Sequence, residues 1–306
     1  MDATCSGLQH LSALLRDPVG ARYVNLIDDA KCGPKQDIYT RVSSVAMSMI
    51  DADLQDADED IRKKAAWWKE VGMPRSLSKH PVMTYVYGAT IKGTAEHIDY
   101  VVTREILPAK GMVWADDIDC MDYCRYAAKK LFQGIAATVP AAAAAMQWLK
   151  SVARQQPNGR RMQWRTPTNF LVQHDYQDFD DLRIRLNSCG VVMTTVREYN
   201  EGTRPHLMQN AIAPNFVHAM DSAHLTIVAR KAEQAGIDIV AIHDSFGTHA
   251  CDVPSMHSLI RHGFVELYKN PNIMIEFMWE VGAVGEQPQR GDFDLSHVLD
   301  SEFFFC

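Results

Sequence analysis

Residues 237–242, Ile237-Asp238-Ile239-Val240-Ala241-Ile242, run directly into His243-Asp244-Ser245-Phe246-Gly247, and this junction constrains the fold more than any other stretch. A short run dominated by isoleucine and valine reads as a buried strand. Residues 246–250 have the character of a returning hairpin partner. Asp244 would then stand at the tip of a buried hairpin, where the backbone holds its carboxylate rigidly. Such a carboxylate can present its oxygens to a hard cation such as Mg²⁺. An aspartate that only caps the turn suits the same position, and the local pattern leaves both readings open.

The rest of the chain surrounds this hairpin mainly with helices. Residues 9–15 read as a helix that Asp17-Pro18 ends, because proline disfavours helix in the residue before it. Residues 36–49 carry Ile38, Val42, Val45 and Met49 at helical spacing, and the acidic run 51–60 after them reads as a solvated connection or helix surface. Pro74 introduces a short amphipathic element over 75–88. Further helices are expected at 120–132, 141–155, 216–234 (closed by Gly236) and 256–268, before an irregular tail. Pro157-Asn158-Gly159 is a turn signal, and residues 162–174 alternate like a hairpin strand. Residues 183–198 have strand character around Val191, Val192, Thr194, Thr195 and Val196. Trp67-Trp68 reads as core, and His10, His224 and His262 as surface or core histidines. The pattern is mixed α+β without regular βαβ alternation, in 306 residues that suffice for one large domain or two smaller ones.

Composition removes some classes of function. No run of about 18 apolar residues exists, so no membrane span is expected. The start offers no positively charged leader before an apolar stretch, so no signal peptide is expected either. The seven cysteines are an odd, scattered set. Cys120 and Cys124 could share a helix face, but no second Cys or His pair has matching zinc spacing, so reduced thiols in a cytosolic protein are the expectation. A formal net charge of −7 argues mildly against nucleic-acid binding. The acid is concentrated around 51–60, however, while 154–165 and 183–197 stay basic, so whole-chain charge does not decide the question.

Two further elements carry chemistry. Asp2 lies in Met1-Asp2-Ala3-Thr4-Cys5-Ser6-Gly7-Leu8-Gln9-His10, where small residues leave room near the carboxylate; taken alone, this segment reads more readily as an ordinary helix N-cap. Steps of four place Arg75, Lys79, Met83 and Tyr87 along one helical face. Two cations there suit a triphosphate, with the aromatic ring free to stack on a base or sugar. A solvated amphipathic helix with Val82 and Val86 inward fits too, and Pro81 complicates both readings. Taken together, two carboxylates at strand ends with a cationic, tyrosine-ending helix between them suit two-metal phosphoryl transfer.

These three segments resemble, in order and spacing, the catalytic motifs of the bacteriophage-type, single-subunit DNA-directed RNA polymerases. Arg16-Asp17-Pro18-Val19-Gly20, Asp37-Ile38-Tyr39, Trp148-Leu149-Lys150, Ala213-Pro214-Asn215-Phe216-Val217-His218 and the aromatic end Phe303-Phe304-Phe305-Cys306 extend the similarity along the whole chain. The resemblance implies a right-hand polymerase palm and fingers of the pol I-like superfamily. Palm would occupy residues 1–30 and 218–306, and fingers residues 31–217. It implies RNA synthesis from ribonucleoside triphosphates on a DNA template, with two Mg²⁺ ions. Asp2 and Asp244 would hold the metal, with the Ala3 carbonyl as an extra ligand. Lys79 would contact the nucleotide's phosphates with help from Arg75. Tyr87 would sit beside the ribose and select for its 2′-hydroxyl, with His218 near the nascent base pair and Tyr39 near the incoming nucleotide. Residues 183–198 resemble the hairpin that reads promoter bases. The implied setting is the cytoplasm of a phage-infected bacterium, with an organellar origin left open.

Two departures from the family pattern stand out. His80 and Pro81 occupy positions where the family commonly has other residues. The family's strand before the first aspartate, its thumb and its N-terminal domain have no counterpart here. The expectation is a catalytic portion that needs the remainder, in the same or a separate chain, and that makes little RNA alone. A related DNA polymerase is disfavoured by Ser6, Gly7 and Leu8, where that family places a glutamate, and by Ser245 after the second aspartate. A non-catalytic nucleic-acid-binding remnant is disfavoured by retention of both aspartates, Lys79 and Tyr87.

Overall fold

A computed structural model describes residues 1–27, 35–157, 160–187 and 192–305. Asn158, Gly159 and Val191, on which parts of the expected turn and strand fall, lie outside the described residues.

Helix α1 (Ser6–Leu15) is buried along its whole length, polar residues included. Gln9 survives burial because it is paired: its Nε2 donates to the carbonyls of Val24 at 2.9 Å and Phe304 at 3.0 Å, tying the helix to the aromatic C-terminal segment. The helix stops at Leu15, and Asp17 caps α2 (Pro18–Tyr23) by accepting from Val19 N.

A helical layer follows, made of α3 (Ile38–Asp53), α4 (Glu59–Val71), α5 (Arg75–Tyr85) and α6 (Ile91–Val101). A π-helical turn at Val102–Ile106 leads into α7 (Leu107–Lys110), and α8 (Cys120–Thr138) crosses both α3 and α6. Trp68 is fully buried and its Nε1 donates to the Tyr123 carbonyl at 2.9 Å. Trp67 stacks flat on Trp114 with ring centroids 4.5 Å apart. Both tryptophans are thus packing residues. Pro81 does not end α5: the helix runs through it to Tyr85, with Val82 and Val86 buried.

The second layer contains α9 (Pro140–Arg154), α10 (Pro205–Ala235), α11 (Val253–Leu267) and α12 (Ile273–Val281), with the short α13 (His297–Asp300) near the end. Helix α10 packs on α9, α11 and α1. It begins at Pro205, not at residue 216, because Pro214 is accommodated inside it. Proline leaves the carbonyl four residues earlier without its helical donor, and that carbonyl, of Asn210, faces Gly88. A Cβ on Gly88 would approach Asn210 O to 3.1 Å, and Gly88 has φ +84°, so both space and backbone call for glycine there. The tail after residue 268 is also more regular than expected. Ile273, Met274, Phe277, Met278 and Val281 form the buried face of α12.

Strands form two-stranded antiparallel ribbons among the described residues. β1 (Met162–Arg165) pairs with β2 (Leu171–His174), as the alternation over 162–174 predicts. β3 (Gln177–Leu186) and β4 (Val192–Thr203) make a longer ribbon that is exposed over most of its length. Its base is braced by Arg204, whose guanidinium lies 3.6 Å from the Phe179 ring and whose Nε is 3.0 Å from Asp178 Oδ1. β5 (Ile239–Ile242) pairs with β6 (Ser245–Thr248). Here the expectation of a buried strand fails: Val240 is 66 % and Ile242 69 % exposed. A two-stranded ribbon has one face toward the protein body, so alternate residues face outward whatever their hydrophobicity. Ile239 and Ala241 take the inward side.

Candidate active site

The β5–β6 turn is a two-residue loop, His243-Asp244, between the paired Ile242 and Ser245. His243 adopts a left-handed φ of +53°, as the tight hairpin turns require at their first central position. Its side chain is exposed, so its defining feature here is the backbone conformation. The turn places Asp244 beside the start of the chain. Met1 exchanges two hydrogen bonds with Phe246, its amino group donating to the carbonyl at 3.0 Å and its carbonyl accepting at 2.9 Å. Asp2 then sits opposite Ser245 in an antiparallel bridge, and Ser245 Oγ donates to Asp2 Oδ1 at 2.7 Å. The Ala3 amide donates to the same oxygen at 3.0 Å. Asp2 is therefore tethered by side-chain and backbone contacts.

Cys5 makes the sharp change of direction from this edge into α1, with φ +59°. Burial pushes its thiol up to about 12, so it is a neutral packing group and no nucleophile.

Asp2, Ala3 and Asp244 open into one cavity of about 1060 Å³. From the opposite wall Arg75, Lys79, Met83 and Tyr87 all face it, the four-residue stride having survived Pro81. Tyr39 and His218 line it as well. Every residue singled out from the sequence for this site is thus at one cavity, although Asp2 and Asp244 stand near opposite ends of the chain.

The two cations are not equivalent. Arg75 Nε lies 2.6 Å from Asp37 Oδ2, and its guanidinium is 4.9 Å from the Tyr39 ring centre. Lys79 is exposed and has no ion-pair partner among the described residues. Lys79 is therefore the cation ready for an anionic ligand, while Arg75 is already partly neutralised. Tyr39 is buried, and burial pushes its phenol up, keeping it protonated.

The acidic side is crowded. Burial, reinforced by the charges of Asp2 and Asp221, pushes the Asp244 carboxyl up from its ordinary value. Like-charged carboxylates converging this way are relieved by a divalent cation. No group of three or more His, Cys, Asp or Glu side chains that could hold a metal is present among the described residues. Mg²⁺ takes one or two carboxylates and completes its shell with water and substrate phosphates, and Asp2 and Asp244 supply two carboxylates at the cavity. The donor set therefore fits magnesium.

Sequence reasoning missed Asp221. It lines the cavity from α10, and its Oδ1 is 2.8 Å from His10 Nε2 on α1. Its Oδ2 lies 3.5 Å from the Tyr87 hydroxyl and 3.7 Å from His218 Nδ1. Burial alone would raise its pKa, but the charge of His10 and hydrogen bonds from His10, His218 and Ser6 outweigh burial and hold it well below the usual carboxylate range. The available signal was its position three residues after His218, on the same face of the helix. Ser6, whose Oγ is 3.2 Å from the Tyr87 hydroxyl, was passed over as one of several small residues.

Comparison with known proteins decides the family. The family described as DNA-dependent RNA polymerase matches residues 1–283. The chain belongs to that family. A DNA-directed RNA polymerase of Pseudomonas phage phiKMV is 38 % identical over the whole of this chain. DNA-directed RNA polymerase 1, mitochondrial, of Arabidopsis thaliana is 33 % identical over 99 % of it. The chain spans 37 % of the length of the first relative and 31 % of the second. It spans 90 % of DNA-directed RNA polymerase 2A of Nicotiana tabacum, at 32 % identity. Family membership thus agrees with the resemblance carried by the three motifs.

Proposed function

We propose that this chain carries the nucleotidyl-transfer centre of a phage-type polymerase that makes RNA on a DNA template from ribonucleoside triphosphates. The observation that carries the reading is the convergence of Asp2, Asp244, Lys79 and Tyr87 on one cavity. In the reaction a 3′-hydroxyl of the RNA attacks the α-phosphorus of the incoming nucleotide. A P–O bond forms, the bond to pyrophosphate breaks, and the hydroxyl proton is lost.

In this reading Asp2 and Asp244, with the Ala3 carbonyl, hold two Mg²⁺ ions. Bound there, magnesium supplies activation of the attacking hydroxyl and neutralisation of the leaving oxygen. Lys79 binds the triphosphate and offsets the charge that develops on it. Arg75 orients the nucleotide's approach while tied to Asp37. Tyr87 and His218, stacked 4.3 Å apart and 3° from parallel, form a flat plate that receives the sugar and base. Tyr39 supports that pocket from its floor.

The architecture proposed around this centre is palm at residues 1–30 and 218–306 and fingers at 31–217, with α10 crossing from one to the other. The β3–β4 ribbon, on which the described part of residues 183–198 falls, is assigned to promoter reading, since a two-stranded ribbon fits the major groove of DNA. Because the chain spans about a third of the phage and Arabidopsis relatives, synthesis is assigned to the complete polymerase, whether its other portion is in the same chain or a separate one. The phage and plant relatives make an infected bacterial cytoplasm the first setting to examine and an organelle the second. No described helix is long and apolar enough to cross a membrane.

The test is extension of an RNA primer on a DNA template by a complete polymerase carrying these residues, with Mg²⁺ and either NTPs or dNTPs. Extension with NTPs should fall by about 10³-fold or more in Asp244→Asn, as for loss of a principal electrostatic group. Undiminished extension by that variant, or a preference for dNTPs, would reject the reading.

A further inference from the structure

A buried carboxylate behind Tyr87 has no role in the reaction as described so far. Asp221 sits between the Tyr87–His218 plate and the core, its side chain only 15 % exposed. A buried charge needs partners, and Asp221 has them on its inner side: His10 Nε2 at 2.8 Å, with His10 Nδ1 in turn 2.6 Å from the buried Tyr268 hydroxyl. The line Tyr268–His10–Asp221 links α11, α1 and α10 and ends at the cavity wall. Its outer end faces two groups able to donate, the Tyr87 hydroxyl at 3.5 Å and His218 Nδ1 at 3.7 Å.

We infer that Asp221 is a positioning residue that sets the hydrogen-bond polarity of the Tyr87–His218 plate, so that the plate accepts a hydrogen bond from a ribose 2′-hydroxyl. The inference rests on the nucleotide site proposed above. An ionised carboxylate accepts hydrogen bonds and cannot donate them. Burial, with the Asp221 charge adding, pushes the Tyr87 phenol up, so it keeps its single proton. Ser6 Oγ, 3.2 Å away, is the competing partner for that proton. Of the two acceptors Asp221 is the charged one, and charge-assisted hydrogen bonds are the stronger; Ser6 Oγ can itself donate to the Tyr87 oxygen or to Asp221. With its proton directed inward, the Tyr87 oxygen turns lone pairs toward the cavity. In the tautomer that faces an Nδ1 proton to Asp221, His218 offers Nε2 as an acceptor. A 2′-hydroxyl can donate to such a surface and a 2′-hydrogen cannot.

The alternative is that His10–Asp221 is only an ion pair holding α1 to α10. The two differ in what a substitution does to nucleotide choice. Binding of ATP and 2′-deoxy-ATP, each with Mg²⁺, is measured by calorimetry on the wild-type chain and on Asp221→Asn. The wild type should prefer ATP by about 3- to 10-fold, the value of one net hydrogen bond. In Asp221→Asn the ratio should fall toward one while 2′-deoxy-ATP affinity stays within about twofold, since the triphosphate contacts are untouched. An unchanged ratio, or equal weakening of both nucleotides, overturns the inference.

A second measurement needs no variant and covers the case in which Asp221→Asn does not fold. 2′-Fluoro-2′-deoxy-ATP accepts but cannot donate at the 2′ position, so the wild type should bind it like 2′-deoxy-ATP. Binding as tight as ATP overturns the assigned polarity. A wild-type chain that binds neither ATP nor 2′-deoxy-ATP rejects the nucleotide site itself, which distinguishes failure of that reading from failure of this one.

Discussion

Replacing Gly7 by alanine probes how closely α1 must approach α5 for Tyr87 to stand where it does. A Cβ on Gly7 would lie 2.4 Å from Val86 Cγ2, 3.1 Å from the Tyr87 hydroxyl and 3.2 Å from Tyr87 Cζ. Carbon atoms in contact are normally about 3.5–4.0 Å apart, so the overlap with Val86 exceeds about 1 Å. Val86 is fully buried and cannot simply swing aside. Overpacking of this kind costs about 1–3 kcal/mol. Removing a helical glycine returns about 1 kcal/mol, so the net loss is about 0–2 kcal/mol. Chemical denaturation of Gly7→Ala should show that loss, and ATP binding should weaken as the Tyr87 ring is displaced. Val86→Ala creates the missing space, so Gly7→Ala/Val86→Ala should be less destabilised than the sum of its parts, by about 0.5–3 kcal/mol of coupling. A stabilised Gly7→Ala protein, or additive losses in the double variant, would refute the argument that steric closeness dictates glycine here.

Two other outcomes follow from the site's electrostatics and hydrogen bonding. Burial is the main reason the His224 pKa is depressed to about 3 from 6.5, and the neutral ring donates Nε2–H to the Ile260 carbonyl at 3.0 Å. Between those values the unfolded chain binds the extra proton, so stability is present above pH 6.5 and is lost as pH falls toward 3. His224→Gln keeps a donor without the titration. It should lose less stability than wild type between pH 7.5 and pH 5, by up to about 1.4 kcal/mol per pH unit, as read by urea denaturation; an identical slope would contradict this. Ser245→Ala removes the 2.7 Å bond to Asp2 Oδ1 at a solvent-accessible position. Global stability should change by less than about 1 kcal/mol, while the Mg²⁺ concentration needed for half-maximal ATP binding should rise a few-fold. An unchanged Mg²⁺ requirement would show that Asp2 needs no such tether.

That these side chains gather at one cavity was largely legible in the sequence because the candidate site's parts are local signals: carboxylates at hairpin and helix starts, and a four-residue stride from Arg75 to Tyr87. Strand and helix periodicity located the β5–β6 hairpin, α5 and α8 for the same reason. What escaped was set by tertiary contact. The helix expected at 216–234 begins at Pro205 and passes through Pro214, whose freed Asn210 carbonyl faces Gly88. Val240 and Ile242 looked buried, but a two-stranded ribbon shields only one face. Asp221 lies outside every motif read from the sequence, and its pairing with His10 exists only because α1 and α10 meet. The ion pair that ties Arg75 to Asp37 joins residues 38 positions apart and likewise has no local signature.

The most direct test of the central claim is calorimetric titration of this chain with ATP in Mg²⁺, comparing wild type with Lys79→Ala and Asp244→Asn. Saturable binding by the wild type, weakened at least about tenfold by each substitution, is the predicted result, since each removes a charged contact worth about 1.5–3 kcal/mol. Saturable binding that neither substitution alters, or no binding by the folded wild-type chain, would contradict the assignment of this cavity as the nucleotide site.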